Sequence, residues 1–267
     1  MKKVLITGAS SGMGRASAVF LAENGYEVYA TSRTPQKLPY IKNLHSLYMD
    51  LKDIKFIKKV VDTIPSIDVL INNAGYGLVS TVEDVTEEEM LDQFDINVFG
   101  LLRVCKAVIP KMRKQKSGVI INISSFLGKV GLPLFTFYNS SKYAVEGITD
   151  SLRYELKEFG IRVHSVLPGF FDTNFARDNL VVNSKSVLDD SAYKKLADSL
   201  LPTITNQINN GNSSFEVAKL IKNIIEDEKF EARQTIGDKA RKFIPMRREL
   251  SDEDFERRVR EYYKLDG

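Results

Sequence analysis

Short apolar runs alternate with helical segments along most of the chain, and this alternation constrains the fold more than any other feature. The first run, Val4 to Thr7, leads into a glycine turn, and apolar residues at helical spacing follow from Gly14 to Asn24. Later strands are predicted at 27–32, 46–49, 68–72, 119–123, 162–167 and 234–236. Strands that alternate with helices form right-handed crossovers. We therefore predict an α/β fold, a doubly wound parallel sheet with helices on both faces.

Length and composition agree with one domain of this kind, covering residues 1–267. Hydrophobic residues make up 43% of the chain and charged residues 27%, which is ordinary for a soluble globular protein. The 38 basic and 35 acidic residues are spread along the sequence. No apolar run approaches the roughly 20 residues that cross a bilayer, and no signal-peptide pattern precedes the first strand. We expect a cytoplasmic protein without a membrane or nucleic-acid partner.

Metal-binding side chains are too few and too scattered to suggest a metal site. Cys105 is the only cysteine, which excludes an internal disulfide. His45 and His164 lie far apart in the sequence. Because no zinc-type spacing of ligands is present, we predict that the protein holds no metal ion.

A glycine-rich turn lies where the first strand passes into the first helix. The segment Thr7 to Gly14 reads Thr-Gly-Ala-Ser-Ser-Gly-Met-Gly, and its glycines permit a tight turn that a ligand can approach closely. The helix N-terminus behind the turn offers N–H groups to a pyrophosphate. We predict a Rossmann-type dinucleotide site that includes Gly8, Ser10, Ser11, Gly12, Met13 and Gly14. A purely structural turn is the alternative, because the spacing differs from G-x-G-x-x-G.

The residues at the end of the second strand decide between NAD and NADP. NAD sites of this kind place a carboxylate there to bind the ribose hydroxyls. Glu27 opens the strand and should lie at the opposite end of the sheet, and Thr31 to Thr34 contains no carboxylate. Arg33 can pair with a 2′-phosphate through its guanidinium group. NADP is therefore the predicted cofactor and NAD the second choice, with a solvated Arg33 that binds nothing as the alternative.

Further motifs follow in order, and together with the glycine turn they resemble the short-chain dehydrogenase/reductase family in its short, single-domain form. The resemblance covers roughly Lys2 to Thr173. Its motifs beyond the turn are Asp50, Asn72-Asn73-Ala74-Gly75, Asn97, Ser125, Tyr138 to Lys142, and Pro168-Gly169. Membership would imply a nicotinamide-dependent oxidoreductase.

The resemblance also implies which residues hold the cofactor. Asp50 matches a residue beside the adenine, Asn73-Ala74-Gly75 the turn that lines the cofactor, and Thr173 a contact to the nicotinamide amide. The predicted set is completed by Leu51, Pro168 and Gly169. Structural alternatives exist for Asp50, as a helix cap, and for Asn73 and Gly75, as turn residues.

Tyr138 and Lys142 lie four residues apart on a predicted helix that ends at Gly160, so their side chains share one face. A free phenol has a pKa of about 10, and about 4 kcal/mol of differential stabilisation would bring it to about 7. A lysine ammonium within roughly 4–6 Å acts in that direction, and so does an oxidised nicotinamide. We predict that Tyr138 transfers the proton in a hydride-transfer reaction, that Lys142 supports it, and that both contact the cofactor.

Ser125 and Asn97 complete the predicted catalytic set. Ser125 ends the fifth predicted strand, where it would hydrogen-bond the reacting oxygen. Ser124 is the rival, but successive strand residues point to opposite faces and the family spacing favours Ser125. Asn97 interrupts a helical stretch that disfavours asparagine, and the resemblance assigns it to a water that links Lys142 to a proton relay. A local helix distortion without that role is the alternative.

The second half of the chain bears on the substrate. Aromatic and apolar residues near the strand ends suggest an apolar pocket, although they could equally form core: Phe126, Leu127, Leu132, Phe135, Phe137, Phe170 and Phe171. Residues 174–212 lack a clean period, and we interpret them as an irregular substrate loop that acts as a lid. A helix is predicted from Phe215 to Ile225.

The C-terminal segment and the long helices bear on packing and assembly. Residues 251–265 predict a capped helix with Phe255, Val259 and Tyr262 on one face, which packs against the domain or a second subunit. The family commonly assembles through the helices that begin near Glu87 and Tyr138. The resemblance therefore implies a homodimer or homotetramer.

The sequence thus predicts an NADP-dependent oxidoreductase that transfers a hydride between the cofactor and a carbonyl or secondary alcohol on an apolar, steroid-, retinoid- or lipid-like molecule. A non-catalytic dinucleotide sensor is the main alternative. Ser125, Tyr138 and Lys142 argue against it, because a sensor has no chemical need for all three. An isomerase or dehydratase is a third hypothesis, for which the short C-terminal part leaves little room for a nucleotide-sugar domain.

Overall fold

Strands and helices follow one another along the chain in the predicted order. The computed structural model describes residues 1–173 and 179–265. Its strands are β1 (Lys3–Thr7), β2 (Glu27–Ser32), β3 (Leu44–Tyr48), β4 (Val69–Asn72), β5 (Gly77–Val79), β6 (Gly118–Ile123), β7 (Ile161–Pro168), β8 (Phe171–Asp172), β9 (Leu180–Val182), β10 (Asn212–Ser213) and β11 (Arg233–Ile236). Its α-helices are α1 (Gly12–Glu23), α2 (Ile54–Thr63), α3 (Glu87–Phe94), α4 (Leu101–Gln115), α5 (Thr136–Leu156), α6 (Lys194–Asn209), α7 (Ser214–Glu226), α8 (Asp238–Glu249) and α9 (Asp252–Tyr263).

Seven of these strands form one parallel sheet, in the order β3-β2-β1-β4-β6-β7-β11. Strand side chains alternate between the two faces, so β1 supplies both layers of core. Val4 and Ile6 pack in the layer that contains α1 and α7. Leu5 packs in the opposite layer, which contains α2, α4 and α5. The predicted doubly wound, Rossmann-type α/β fold is therefore confirmed.

The central strands bring the candidate site residues to one edge of the sheet. Every residue of β4 and β6 is buried, as expected for strands covered on both faces. Their register pairs Asn72 with Asn122, and the chain leaves β4 into Asn73 and β6 into Ser124. The carboxyl ends of parallel strands meet at a common edge, which is where open α/β sheets bind ligands.

The segment 174–212 is more regular than its sequence suggests. Residues 174–178 lie outside the described residues, and the rest contains β9, a 3₁₀ turn at Lys185–Val187 and the 16-residue helix α6. The buried residues of α6 do show helical spacing along one face: Ala197, Leu200, Ile204 and Ile208. Pro202 obscures it, because a proline inside a helical pattern ordinarily predicts a helix end. The expectation of an irregular loop is thus corrected at 194–209, whereas a role as lid stays a prediction.

Most of the aromatic residues that suggested a substrate pocket belong to the core. Six of the seven are at most 8% exposed, and Phe170 alone among them is half-buried. Phe126 is an example. It opens the 3₁₀ turn Phe126–Gly128, and its ring packs against those of Phe170 and Phe243 at centroid distances of 5.3 and 6.1 Å. The sequence left core and pocket equally open, and the structure places these side chains in the core.

The C-terminal helix α9 packs onto the rest of the protein with one difference from the predicted face. Ser251 caps it by accepting a hydrogen bond from the Asp254 amide at 3.1 Å. Phe255, Val259 and Tyr263 are buried at four-residue intervals, whereas Tyr262 is half-buried. Across residues 1–173 and 179–265, no helix is long and apolar enough to span a membrane.

Candidate active site

A cavity of about 780 Å³ opens at the carboxyl edge of the sheet. Most of the predicted site residues line it: Gly8, Ser10, Ser11, Gly12, Met13, Gly14, Arg33, Asp50, Leu51, Asn73, Ala74, Gly75, Tyr138, Lys142 and Thr173. The predicted residues outside its lining are Asn97, Ser125, Pro168 and Gly169. Residues from both halves of the chain are thus brought to one place.

The glycine turn is fastened to the end of β4. Asn73 Nδ2 donates to the carbonyl oxygens of Thr7 and Gly8, both at 3.0 Å. Thr7 Oγ1 accepts the N–H groups of Asn73 and Ala74, both at 3.1 Å. Gly8 has φ of +67°, and a Cβ on it would lie 2.6 Å from Ala74 Cα. Asn73 therefore both lines the cavity and fixes the turn, so its structural and functional interpretations are compatible.

The start of α1 fits a pyrophosphate group. Ser11 is the N-cap but makes no side-chain cap hydrogen bond, and the first turn holds no acidic residue. Gly12 has φ of +52°, and a Cβ on it would lie 3.4 Å from the Thr173 side chain. The first-turn N–H groups lack a side-chain cap, and they carry the positive end of the helix dipole. This arrangement suits an anion held between the glycine turn and Thr173.

The β2 end of the cavity is basic. Arg33 is exposed and lines the cavity with Lys37, and within the described ranges it forms no ion pair with a carboxylate. Glu27 lies at the other end of β2, where it pairs with Lys3 at 3.5 Å. A phosphate group at the β2 end would therefore meet a guanidinium group and no carboxylate of that strand.

Asp50 and Leu51 follow the end of β3 and line the cavity. Asp50 Oδ1 accepts the Lys52 amide at 3.0 Å, which makes a local turn. Asp53 caps α2 instead, accepting the Phe56 amide at 2.9 Å. Leu51 packs against Gly100, where a Cβ would come within 2.9 Å of the Leu51 Cβ. The alternative of Asp50 as helix cap is thus wrong, and Asp50 keeps its place in the cavity wall.

Ser125 and Tyr138 are hydrogen-bonded to each other. Ser125 Oγ also accepts the Leu127 amide at 3.1 Å, which fixes its rotamer at the start of the 3₁₀ turn. Ser124 lines the cavity, but its Oγ lies close to Gly128 and has no hydrogen-bond partner within residues 1–173 and 179–265. Burial raises the pKa of the Tyr138 phenol to about 12, and the bond to Ser125 acts in the opposite direction. The structure therefore brings Ser125, rather than Ser124, to the tyrosine.

Lys142 lies beside Tyr138 on α5 with its ammonium group fixed. It is 5% exposed, and its Nζ donates to the Ile123 carbonyl at 2.9 Å. The same atom lies 5.7 Å from the centroid of the Tyr138 ring. Burial lowers the pKa of Lys142 to about 8, against the opposing effect of the Glu146 carboxylate. Burial is thus the largest influence on the pKa of both groups. The sequence-based prediction considered only charges and did not include this effect.

Asn97 stands in a π-helical segment, Asp95–Gly100, between α3 and α4. Its Oδ1 accepts the Tyr76 amide at 3.0 Å and its Nδ2 donates to the Tyr76 carbonyl at 2.9 Å. Its Nδ2 also reaches Ser141 Oγ at 3.1 Å. A Cβ on Gly75 would lie 3.0 Å from Asn97 Oδ1 and 3.7 Å from Lys142 Nζ. The helix is therefore distorted, and the distortion brings Asn97 next to the lysine.

Pro168 and Gly169 lie behind the cavity wall. Pro168 pairs with Ile236 in the sheet, and the Gly169 amide donates to the Ile236 carbonyl at 2.8 Å. A Cβ on Gly169 would come within 3.0 Å of the Ala240 amide nitrogen. These two residues therefore set the direction in which the chain leaves β7 toward Thr173.

Several residues that line the cavity were not predicted from the sequence. Leu78 of β5 and Val181 of β9 line the cavity together with Tyr76, Asn179 and the α3 residues Glu88, Glu89 and Asp92. β5 and β9 pair as a two-stranded sheet, and Asn183 Nδ2 binds Glu89 Oε2 at 2.7 Å. Strands of three residues carry too short a pattern to be recognised in a sequence.

The sequence and fold are similar to those of known proteins. The family model described as short chain dehydrogenase matches residues 2–181. A 3-ketodihydrosphingosine reductase from Bacteroides thetaiotaomicron is 46% identical over 176 residues, which span 64% of this chain and 65% of that reductase. A crystal structure of a short-chain dehydrogenase from Streptomyces avermitilis matches with a TM-score of 0.84 and 31% identity, covering 100% of this chain and 98% of that one. The structure of ElxO with NADP bound matches with a TM-score of 0.68 and 26% identity, covering 88% and 96%.

Proposed function

Because this chain belongs to the short-chain dehydrogenase/reductase family, we propose that it is an NADP-dependent oxidoreductase that interconverts a lipid-like ketone and its secondary alcohol. The observation that carries the proposal is that Tyr138 and Lys142 line the cavity and that Ser125, just behind its wall, reaches the Tyr138 hydroxyl. The two hydroxyl groups are hydrogen-bonded to each other, and the ammonium lies 5.7 Å from the phenol ring. A proton donor, an oxyanion stabiliser and a fixed positive charge are the groups that carbonyl reduction needs.

Each of these residues has a distinct part in reduction. NADPH, when bound, supplies the hydride that reaches the carbonyl carbon. Tyr138 Oη donates its proton to the carbonyl oxygen, and Ser125 Oγ donates a hydrogen bond to that oxygen as negative charge develops. Lys142 favours the phenolate that Tyr138 becomes. Burial holds the pKa of Tyr138 at about 12, so the phenol carries its proton at neutral pH, as a proton donor must.

The choice of NADP rests on the basic end of the cavity. Arg33 and Lys37 line it, and the described carboxylate of β2, Glu27, lies at the far end of the strand. A 2′-phosphate would be paired there, whereas the ribose hydroxyls of NAD would lack the acceptor that β2 usually supplies. The NADP bound to the similar protein ElxO supports the same choice.

Replacing Arg33 by Asp should reverse this preference. The variant loses a charge-assisted bond to the 2′-phosphate, adds repulsion, and gains an acceptor for the ribose hydroxyls. We expect the ratio of kcat/KM for NADPH to that for NADH to fall roughly 10²-fold. Lys55→Asp, the same charge reversal at an exposed position of α2, is the control and should leave the ratio unchanged. An unaltered ratio in Arg33→Asp would remove Arg33 from the cofactor site.

The substrate class rests on the cavity wall and on a relative. Leu78 and Val181 give the cavity an apolar side, and Val181 is 45% exposed on β9. The reductase from Bacteroides thetaiotaomicron is named for 3-ketodihydrosphingosine, a long-chain amino ketone. Most of the aromatic residues that suggested an apolar pocket lie in the core. The proposal of an apolar substrate therefore rests on Leu78 and Val181 in the cavity wall and on the name of this relative.

A substrate panel followed by NADPH absorbance tests the function. It contains 3-ketodihydrosphingosine, a ketone of the same chain length without the amine, and short polar ketones. We expect kcat/KM to be highest for the long-chain ketones, because more apolar surface is buried against β5 and β9. Turnover of short polar ketones alone would overturn the substrate class. Tight NADPH binding without turnover of any carbonyl would overturn the oxidoreductase itself.

A further inference from the structure

Glu146 is a carboxylate buried within α5, on the helix face that carries Tyr138 and Lys142. It follows Lys142 by four residues, so the two side chains are neighbours one turn apart. It is 2% exposed. A charge buried to this degree is unfavourable unless other charges compensate it. Glu146 does not line the cavity, so it has no direct contact with a ligand bound there.

Two cations from other elements compensate Glu146. Arg233 Nε of β11 binds Glu146 Oε2 at 2.7 Å, and Lys129 Nζ approaches the same oxygen to 3.3 Å. Arg233 Nη2 also pairs with Asp150, the next residue along this helix face, at 2.5 Å. Glu146 Oε1 has no hydrogen-bond partner within residues 1–173 and 179–265. One carboxylate oxygen of Glu146 is therefore bound by two cations, Arg233 from the edge strand β11 and Lys129 from the loop that follows Ser125.

Close packing joins Glu146 to the catalytic groups. Gly128, in the 3₁₀ turn that Ser125 opens, lies directly against α5. A Cβ on Gly128 would come within 2.8 Å of Ser124 Oγ, 2.9 Å of the Lys142 carbonyl oxygen and 3.2 Å of Glu146 Cγ. Because this space is filled, Glu146 has little freedom to move away from Lys142.

We propose that Glu146 is a positioning residue that stabilises the ammonium form of Lys142 and thereby sets the pH range in which Tyr138 transfers its proton. The inference rests on the proposed function, in which Lys142 acts as a cation beside Tyr138. Glu146 itself touches neither substrate nor cofactor and acts only through the lysine.

The charges around Lys142 support this role. Tyr138 and Glu146 lie one turn from Lys142 on α5, and its β6 neighbour is the neutral Ile123 carbonyl. Lys129 and Arg233 pair with Glu146, and Asp150 lies two turns from Lys142, where it pairs with Arg233. Burial lowers the pKa of Lys142 to about 8, and the Glu146 carboxylate opposes that effect. Without the carboxylate, burial and the two remaining cations would all act in one direction, toward a neutral lysine at physiological pH.

Glu146→Gln is the principal test. Removing a negative charge lowers the pKa of every group nearby, so the direction is the same whether Lys142 or Tyr138 releases the proton. We expect the alkaline limb of the pH profile of kcat/KM for carbonyl reduction to move down by about one pH unit. Lys129→Gln, which removes a cation, should move it upward by a smaller amount. Loss of stability alone would give no shift of opposite sign in the two variants.

Two further variants separate charge from packing. Asp150→Asn removes the other carboxylate that binds Arg233. Asp150 lies two turns from Lys142 and its side chain is 47% exposed, so the midpoint of the alkaline limb of kcat/KM should not change. Glu146→Asp keeps the charge and should restore a midpoint within about 0.3 pH unit of the parent even if kcat falls. Equal midpoints in the parent, Glu146→Gln and Lys129→Gln would overturn the proposal.

A direct titration makes the result independent of turnover. The side-chain NMR signal of Lys142 in the cofactor-free protein, assigned by its loss in Lys142→Arg, reports the pKa of the lysine itself. We expect a lower pKa in Glu146→Gln and a higher one in Lys129→Gln. An inactive parent with these shifts would leave Glu146 coupled to Lys142 while overturning the proposed function. An active parent without them would retain the function and overturn the role of Glu146.

Discussion

Tyr138→Phe should reduce kcat for carbonyl reduction by at least about 10³-fold, because the variant lacks the proton that the carbonyl oxygen receives. The ring of Tyr138 packs edge-on against Phe135 at a centroid distance of 6.4 Å, and phenylalanine keeps that contact. Binding of NADPH, measured by its fluorescence, should therefore change by less than about threefold. The thermal midpoint should also stay close to that of the parent.

Tyr143→Phe is the matched control for this variant. Tyr143 lies on the same helix, next to Lys142, but it is 45% exposed and does not line the cavity. We expect parental turnover from it. If Tyr138→Phe retained a tenth or more of the parental kcat with unchanged NADPH binding, Tyr138 would not be the proton donor.

Gly14→Ala should abolish most NADPH binding and destabilise the fold. A Cβ at this position would lie 2.4 Å from the Gly8 carbonyl oxygen and 2.3 Å from Asn73 Nδ2. Both atoms belong to the hydrogen-bonded junction between the glycine turn and β4, so neither can retreat without breaking it. We expect overpacking to cost about 1–3 kcal/mol in unfolding free energy. The displaced turn should weaken NADPH binding by at least about tenfold.

Gly147→Ala gives the contrast in the same protein. Gly147 lies in α5, and a Cβ on it would meet no atom within 4 Å. Alanine is favoured over glycine in a helix, so we expect a gain of up to about 1 kcal/mol and unchanged NADPH binding. Chemical denaturation and a cofactor titration measure both effects. Parental NADPH affinity in Gly14→Ala would mean that the glycine turn does not hold the cofactor.

The parts of the fold that the sequence predicts are those with strong local patterns. The strand at 27–32 coincides with β2, and the helix at 215–225 lies within α7. Helix α6 was missed because Pro202 interrupts a buried face that is otherwise regularly spaced. The β5–β9 pair was missed because pairing between short segments 103 residues apart leaves no local signal.

The candidate site divides in the same way. Motif order predicts Ser125, Tyr138 and Lys142 as one catalytic group; the structure brings the three side chains close together, and their catalytic role stays a prediction. The order of the motifs does not reveal how burial shifts the pKa values of Tyr138 and Lys142, because desolvation depends on packing around the whole helix. Glu146 was overlooked for a related reason: its partner Arg233 is 87 positions away in the sequence.

The pairing of Arg233 with Glu146 has a consequence for building chimeras within this family. The family model ends at residue 181, and β11, which carries Arg233, comes after that point. A hybrid that takes its first 181 residues from this chain and the remainder from a relative would inherit Glu146 but acquire whatever residue the donor has opposite it. Grafts intended to change only substrate choice would thus also alter the electrostatics around Lys142, unless the arginine is transplanted with them.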